Sequence, residues 1–412
     1  MAEHDCAGVT RRSFLADTGM GLTGMALAAM LQKEARGRDL HRDLRPTKAK
    51  SVIWIFLCGG VSHVESFDPK PELNAHAGKS IDDTPFKDVL RPEKLKDVVA
   101  ANPSHGGRKV LMGLNTGFRK YGECGLEVGD WWRQTAAHAD DLAVVRSLWT
   151  TDNDHGAQLQ FHTGRHVRDG AQPTIGSWAA YGLGSLNEEL PEYVVLGQPT
   201  GDCCGGSWTH GAAWLGPEYA GVRLRVEGRT PLPFVQREAG MTLEEQEAEL
   251  SLLGRLNHLS GIDYPDDPAL RARIKSYELA FGMQTAVPEL MDLSGETAAT
   301  KTMYGLEEEF AQTKIFGTEC LIARRLVERG VRFIELTCPS IGHDRWDQHA
   351  NLKSGHELNS RAVDQPIAAL IKDLKARGLL EQTLLMWGGE FGRTPFAQGS
   401  DGRDHNPFGF TM

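Results

Sequence analysis

Residues 51–58, Ser-Val-Ile-Trp-Ile-Phe-Leu-Cys, form an unbroken apolar run between a basic, polar stretch at 33–50 and the pair Gly59-Gly60. A strand with one wet face alternates apolar and polar side chains. A continuous run is instead buried on both faces, as a strand inside a parallel sheet is. A chain built around such a strand must cover the sheet with helices, so the run constrains the fold to the α/β class.

The rest of the chain supplies those helices and further strands. The spacing predicts helices over 130–141, 155–163 (closed by Gly164) and 175–183, and strands over 142–149 and 193–196. Residues 197–235 are rich in Gly and Pro and read as a long loop or cap over the sheet. Thr242 followed by Glu245 is a capping box opening an amphipathic helix at 242–259, with a helical partner at 266–284. Residues 236–300 are therefore expected to be a helical insertion. Toward the C-terminus, a helix at 314–329 stopped by Gly330, a strand at 331–337, a helix at 359–377 stopped by Gly378 and a strand at 383–387 make crossover units of a parallel sheet. The last residues, 408–412, read as a strand cut short, and the chain is expected to be truncated at its C-terminal end.

Ahead of the first strand, Thr10-Arg11-Arg12-Ser13-Phe14-Leu15 precedes a weakly apolar, Gly-containing run at 20–31. This is the layout of a twin-arginine export signal, and the run is short for a permanent membrane span. Residues 1–32 are therefore expected to be a signal and 33–50 a linker. The expected partner is the twin-arginine translocation machinery, and the expected location is the periplasm or cell surface. That route carries folded proteins, which raises the expectation of a metal acquired before export. Lys and Arg number 45 against 55 Asp and Glu, a net charge of -10 with no long basic cluster, which argues against a nucleic-acid binder. None of the seven cysteines forms a C-x-x-C, which disfavours a zinc ribbon, and the vicinal pair Cys203-Cys204 leaves a minor redox reading.

In open parallel sheets, ligands bind beyond the carboxyl ends of the strands. Four expected strand ends lead into segments rich in metal-ligating side chains: Ser62-His63-x-Glu65-x-x-Asp68, Asp152-Asn153-Asp154-His155, His343-Asp344-x-x-Asp347-x-His349, and Glu390 with Arg393 followed by Asp404-His405-Asn406. Asp347 and His349 reach one centre only from extended backbone, and Pro339, Gly342 and Asn351 favour a loop there. Asp347, His349, Glu390 and His405 are the expected metal ligands. Such a mixed carboxylate and imidazole set fits one or two divalent ions, zinc or manganese first, with calcium and magnesium left open. Arg393 is expected to clamp an oxyanion, and Ser62, His63 and Asn153 to contact substrate.

Gly59-Gly60-Val61-Ser62-His63, Phe67-Asp68-Pro69-Lys70-Pro71, Trp346-Asp347-Gln348-His349, Gly389-Glu390-Phe391-Gly392-Arg393-Thr394-Pro395 and Gly402-Arg403-Asp404-His405, together with the twin-arginine start, resemble the exported, sulfatase-like proteins of domain-of-unknown-function family 1501. The resemblance covers almost the whole chain after residue 50. It implies the alkaline phosphatase-like superfamily, with a doubly wound, mostly parallel sheet, helices on both faces and often two metal ions. Asp347, His349 and His405 resemble that superfamily's ligands. Glu390 stands where a late strand delivers an Asp, and Phe391 stands where a ligand His usually follows. Thr151 to His155, with Thr163-Gly164-Arg165, resembles the nucleophile turn and its helix, and the nucleophile position falls on Asp154. With no hydroxyl there, three readings follow: Asp154 or Asn153 is a ligand and a water attacks directly, His155 acts as base or ligand, or catalysis has been lost.

Two functions are therefore expected in order. The first is an exported metal-dependent hydrolase of phosphate or sulfate esters, acting on a small anionic ester or a sulfated or phosphorylated polymer. The second is a non-catalytic secreted protein of the same fold that binds a glycan, a metal or a partner.

Overall fold

The computed structural model describes residues 48–90, 108–198, 205–228, 231–232, 240–263, 267–341 and 345–412. The expected signal at 1–32, nearly all of the linker, the pair Cys203-Cys204, and Gly342, His343 and Asp344 lie outside the described residues.

Ser51–Phe56 forms strand β1, as its unbroken apolar run predicts. It is followed along the chain by β2 (Phe118–Tyr121), β3 (Leu126–Gly129), β4 (Tyr193–Leu196), β5 (Val222–Leu224), β6 (Phe333–Thr337), β7 (Thr383–Gly388), β8 (Gly392–Gln398) and β9 (Gly402–Asn406). The longer helices are α1 (Ala157–Thr163), α2 (Ile175–Leu183), α3 (Leu243–Asp263), α4 (Pro268–Met291), α5 (Ala311–Glu328) and α6 (Leu352–Ala376). The main sheet has the order β5-β4-β6-β1-β7, with every neighbouring pair parallel.

Alternation along β1 divides the core. Trp54 and Phe56 meet Phe161 and His162 of α1 on one face. Tyr193 of β4 packs edge-on against Phe333 of β6 and lies under Gly176 of α2, where any side chain would strike its ring. The intervening residues Ile53, Ile55, Ile334 and Leu336 point the other way and are equally buried, so both faces of the sheet are closed. Burying both faces is what makes the run continuous rather than alternating.

Local punctuation also agrees with the sequence. Gly164, Gly330 and Gly378 all take positive φ at helix ends. At the start of α3, Thr242 N–H donates to Glu245 and Glu245 N–H donates to Thr242 Oγ1, the reciprocal pair of a capping box. The helices at 243–263 and 268–291 fill the stretch expected to be helical.

Three differences are informative. Residues 142–149 do not join the main sheet. They run beside the C-terminal segment, bridging Leu148 to Phe410 and exchanging backbone bonds between Val145 and Met412, with Val145 and Trp149 exposed. Residues 130–141 break into 3-10 turns around the single turn Arg133–Ala136 instead of one helix. Helix α6 begins at Leu352, two turns earlier than expected. Gly355 in its first turn is needed because the Gln348 side chain lies 2.5 Å from where a Cβ would sit.

Candidate metal centre

The carboxyl ends of β1, β6 and β7 meet the start of α1 and the β8–β9 hairpin at one place. Asp347 hangs from the loop after β6. Its neighbour Trp346 is fully buried, stacks on Trp132 at 5.7 Å between ring centres and donates its backbone N–H to Cys58 O beyond β1. That anchor leaves Asp347 and His349 at the rim. The hairpin docks against the same loop, with Leu352 N–H on Asp401 O and Arg403 N–H on Gln348 O, and so carries His405 up to His349. His155 arrives at the start of α1, and Glu390 lies just past the end of β7.

Three imidazoles converge on one carboxylate. His155 Nε2 lies 2.9 Å from Asp347 Oδ2, while His349 Nε2 and His405 Nε2 each lie 3.0 Å from Asp347 Oδ1 and 3.0 Å from each other. The outward nitrogen of each ring is held from behind. His155 Nδ1 sits 3.1 Å from Glu390 Oε1, His405 Nδ1 sits 2.7 Å from the Asn153 carbonyl, and His349 Nδ1 meets Gln398 Oε1. A carbonyl oxygen only accepts, so the Asn153 contact fixes the proton of His405 on Nδ1 and leaves the Nε2 lone pair facing Asp347. Lone pairs and a carboxylate facing one another repel unless protons or a cation sit between them. The electrostatics reflect that demand. Burial pulls His155 down, but its hydrogen bonds to Asp347 and Glu390 outweigh this and push it up to about 10. Burial would raise Asp347, but the three histidines and Arg393 hold its carboxyl far below the usual carboxylate range. Burial lowers His405.

Glu390, expected among the ligands, stands one layer back. It is fully buried and occupied by His155, Gln158 Nε2 at 3.0 Å and the Gly59 N–H at 3.0 Å. His155, expected as base or ligand, stands with Asp347, His349 and His405. Arg393, expected to clamp an oxyanion, is fully buried and donates to the carbonyls of Gly59, Gly60 and Arg403 and to Asp347. It ties the glycine loop to the carboxylate that the three imidazoles share. Phe391 supplies no ligand atom; its ring packs on His405 at 4.2 Å, and Gly60 at φ +79° is required because a Cβ there would come 2.5 Å from that ring.

Ser62 and His63, expected to touch substrate, are buried. Ser62 N–H donates to His356 Nε2, its hydroxyl bonds Glu65, and His63 Nδ1 accepts from Arg393 N–H. Burial pushes His63 down to about 4. Asp154 is exposed and its carboxylate accepts the His155 N–H, while Asn153 is buried and contributes the carbonyl that holds His405. His343 and Asp344 lie outside the described residues.

Sequence reading did not find the ion pair beneath the site. Arg403 and Glu65 are both fully buried and bond in a fork, with Arg403 also donating to the carbonyls of Thr394, Met112 and Gly113. The available signal was the proximity of Arg403 to His405 in a polar segment flanked by Gly399 and Gly402. Gln158, the residue that couples His155 and Glu390, carried no such signal.

The chain belongs to the family described as proteins of unknown function, DUF1501, whose family model matches residues 49–412. No curated protein and no solved structure matches the chain.

Proposed function

We propose that this protein is an exported, metal-dependent hydrolase of phosphate or sulfate esters, built on the doubly wound fold of the alkaline phosphatase-like superfamily. The observation that carries the reading is the convergence of three imidazole Nε2 atoms on Asp347 while each Nδ1 is held by an acceptor. Metal-binding histidines have this layout, with the outer nitrogen engaged to fix the tautomer and aim the ring. His155, Asp347 and His405, whose ligand atoms lie within 4.8 Å of one another, would hold the ion, and His349, 3.0 Å from both Asp347 and His405, would complete the set. Three nitrogens and one carboxylate suit zinc or manganese better than calcium or magnesium, which prefer oxygen. A divalent ion there would supply Lewis-acid polarisation of a phosphoryl or sulfuryl oxygen.

The chain's own groups keep that site set. Glu390 holds the Nδ1 proton of His155, Asn153 and Gln398 hold the other two rings, and Arg393 keeps Asp347 ionised and aimed inward. The ligand set accounts for one ion. The export reading rests on Arg11-Arg12 and the apolar run behind them, which supports a periplasmic or cell-surface location and the twin-arginine machinery as partner.

A second reading is favoured by a specific observation: Arg393 is fully buried and spent inside the protein, so it is not presented to an ester, and Asp154 offers a carboxylate where a hydroxyl nucleophile is expected. On that reading the protein binds a metal or a glycan at this cleft without turnover. Purified protein is expected to hold zinc or manganese in near-stoichiometric amount by elemental analysis, and Asp347→Ala to lose it. Hydrolysis of chromogenic phosphate and sulfate monoesters then separates the two readings. An enzyme is faster than its His155→Ala variant, whereas a wild type at the background rate of that variant supports the binder.

A further inference from the structure

Away from the metal-facing cluster, α2 and the segment after β4 expose a row of aromatic rings. Trp178 and Tyr181 project from α2, Trp214 stands against Trp178 at 5.3 Å between ring centres, and Tyr219 stands against Tyr181 at 5.2 Å. Trp178 and Tyr181 themselves meet edge to face at 6.0 Å. The order is therefore Trp214, Trp178, Tyr181, Tyr219. The first three are 64%, 44% and 54% exposed, which is a large exposed surface for such rings. Trp214 carries a polar tip, its indole N–H reaching Gln172 Oε1 at 3.5 Å.

At the Tyr219 end the row opens into a cavity of about 430 Å³. Its lining includes Glu188, Glu192 and Glu218, with no Lys, Arg or His among the described residues. Glu218 Oε2 and Asn187 Nδ2 are buried in that lining without a hydrogen-bond partner among the described residues. Buried polar atoms of this kind call for a ligand or solvent that supplies donors and acceptors.

We propose that this row and its cavity form a binding site for a neutral polysaccharide chain. The apolar C–H face of a pyranose packs on an aromatic ring, and its hydroxyls bond to carboxylates and amides. A row of rings leading to a cavity of carboxylates and an amide offers both in sequence. Charge decides between glycans: the carboxylates of Glu188 and Glu218 repel a sulfated or phosphorylated polymer and accept hydroxyl donors. The site is separate from the residues around Asp347, so its function stands apart from the hydrolase reading.

Affinity electrophoresis of the full chain through native gels containing a mixed-linkage β-glucan, a galactomannan or an arabinoxylan tests the proposal, with a carrageenan gel as the sulfated comparison. The wild type is expected to be retarded by at least one neutral polymer, and Trp178→Ala/Trp214→Ala to bind it about tenfold or more weakly. Both rings are exposed, and circular dichroism checks that the variant is folded. Asp347→Ala is expected to be retarded like the wild type, which keeps this outcome distinct from that at the metal-facing cluster. The proposal is overturned by no retardation in any neutral polymer, by retardation that the double variant retains, or by retardation in carrageenan alone. It is also overturned if sedimentation shows a dimer of this chain that the double variant abolishes, because a second copy then covers the rings.

Discussion

His155 and His162 sit two turns apart at the two ends of one short helical stretch, and both lie beside carboxylates, yet they do different things. His162 is closed in. Its Nδ1 meets Gln158 O at 2.7 Å, its Nε2 meets Glu335 Oε1 at 3.1 Å, Glu335 also takes the Tyr193 hydroxyl, and all three side chains are buried. His155 has one nitrogen held by Glu390 and the other turned to a half-buried carboxylate shared with two more imidazoles. A histidine whose two nitrogens are consumed by fixed partners is part of the scaffold. A histidine with one nitrogen held and the other aimed at a shared point has the layout of a metal-binding histidine. Gln158 connects the two, giving its carbonyl to His162 and its amide to Glu390.

The difference can be broken first at the closed end. Glu335→Ala leaves His162 and Tyr193 buried without their partner, and is expected to cost about 3–5 kcal/mol of stability in urea unfolding. The metal content of the folded fraction is expected to be unchanged; a loss of metal equal to that in Asp347→Ala would mean the two ends are one unit. The open end sharpens the contrast. Glu390→Gln keeps the shape behind His155 but removes the charge, and is expected to weaken zinc affinity about 10–100-fold, read by competition with a chromogenic chelator, with a smaller effect on stability. An unchanged affinity would remove Glu390 from the site.

The smallest effect is a pH dependence at the closed end. Burial alone would lower His162, but Glu335 and the Gln158 carbonyl raise it overall, and Glu335 itself is lowered. A histidine raised in the folded state contributes stability that is complete below its ordinary value of about 6.5 and is lost as pH rises through the folded value. The stability difference between wild type and His162→Phe is therefore expected to be largest in mildly acidic solution, where Glu335 remains ionised, and to shrink toward alkaline pH. A difference that grows with pH would contradict the ion pair.

Much of this was legible in the chain. The run at 51–58 announced a doubly buried strand, the glycines at 164, 330 and 378 marked helix ends, and Thr242 with Glu245 marked a helix start. Asp347, His349 and His405 were expected together and are together. What stayed hidden followed from charge burial. Strand β9 reads Gly-Arg-Asp-His-Asn, a loop by composition, and becomes a strand because Glu65 pairs with its Arg403 and Arg108 with its Asp404 at 2.9 Å. Such compensation comes from residues roughly 300 positions away along the chain. Local pattern cannot register it. The position of Glu390 behind His155 has the same origin, since only the folded chain shows Gly59 and Gln158 occupying its oxygens.

The central claim is that His155, His349, His405 and Asp347 share one cation. X-ray absorption at the zinc edge of the zinc-loaded protein tests it most directly. The account predicts a first shell of three imidazole nitrogens near about 2.0–2.1 Å and one carboxylate oxygen near about 2.0–2.2 Å, reduced by one imidazole in His405→Ala. A shell containing sulfur, or one unchanged in His405→Ala, would place the ion elsewhere and contradict it.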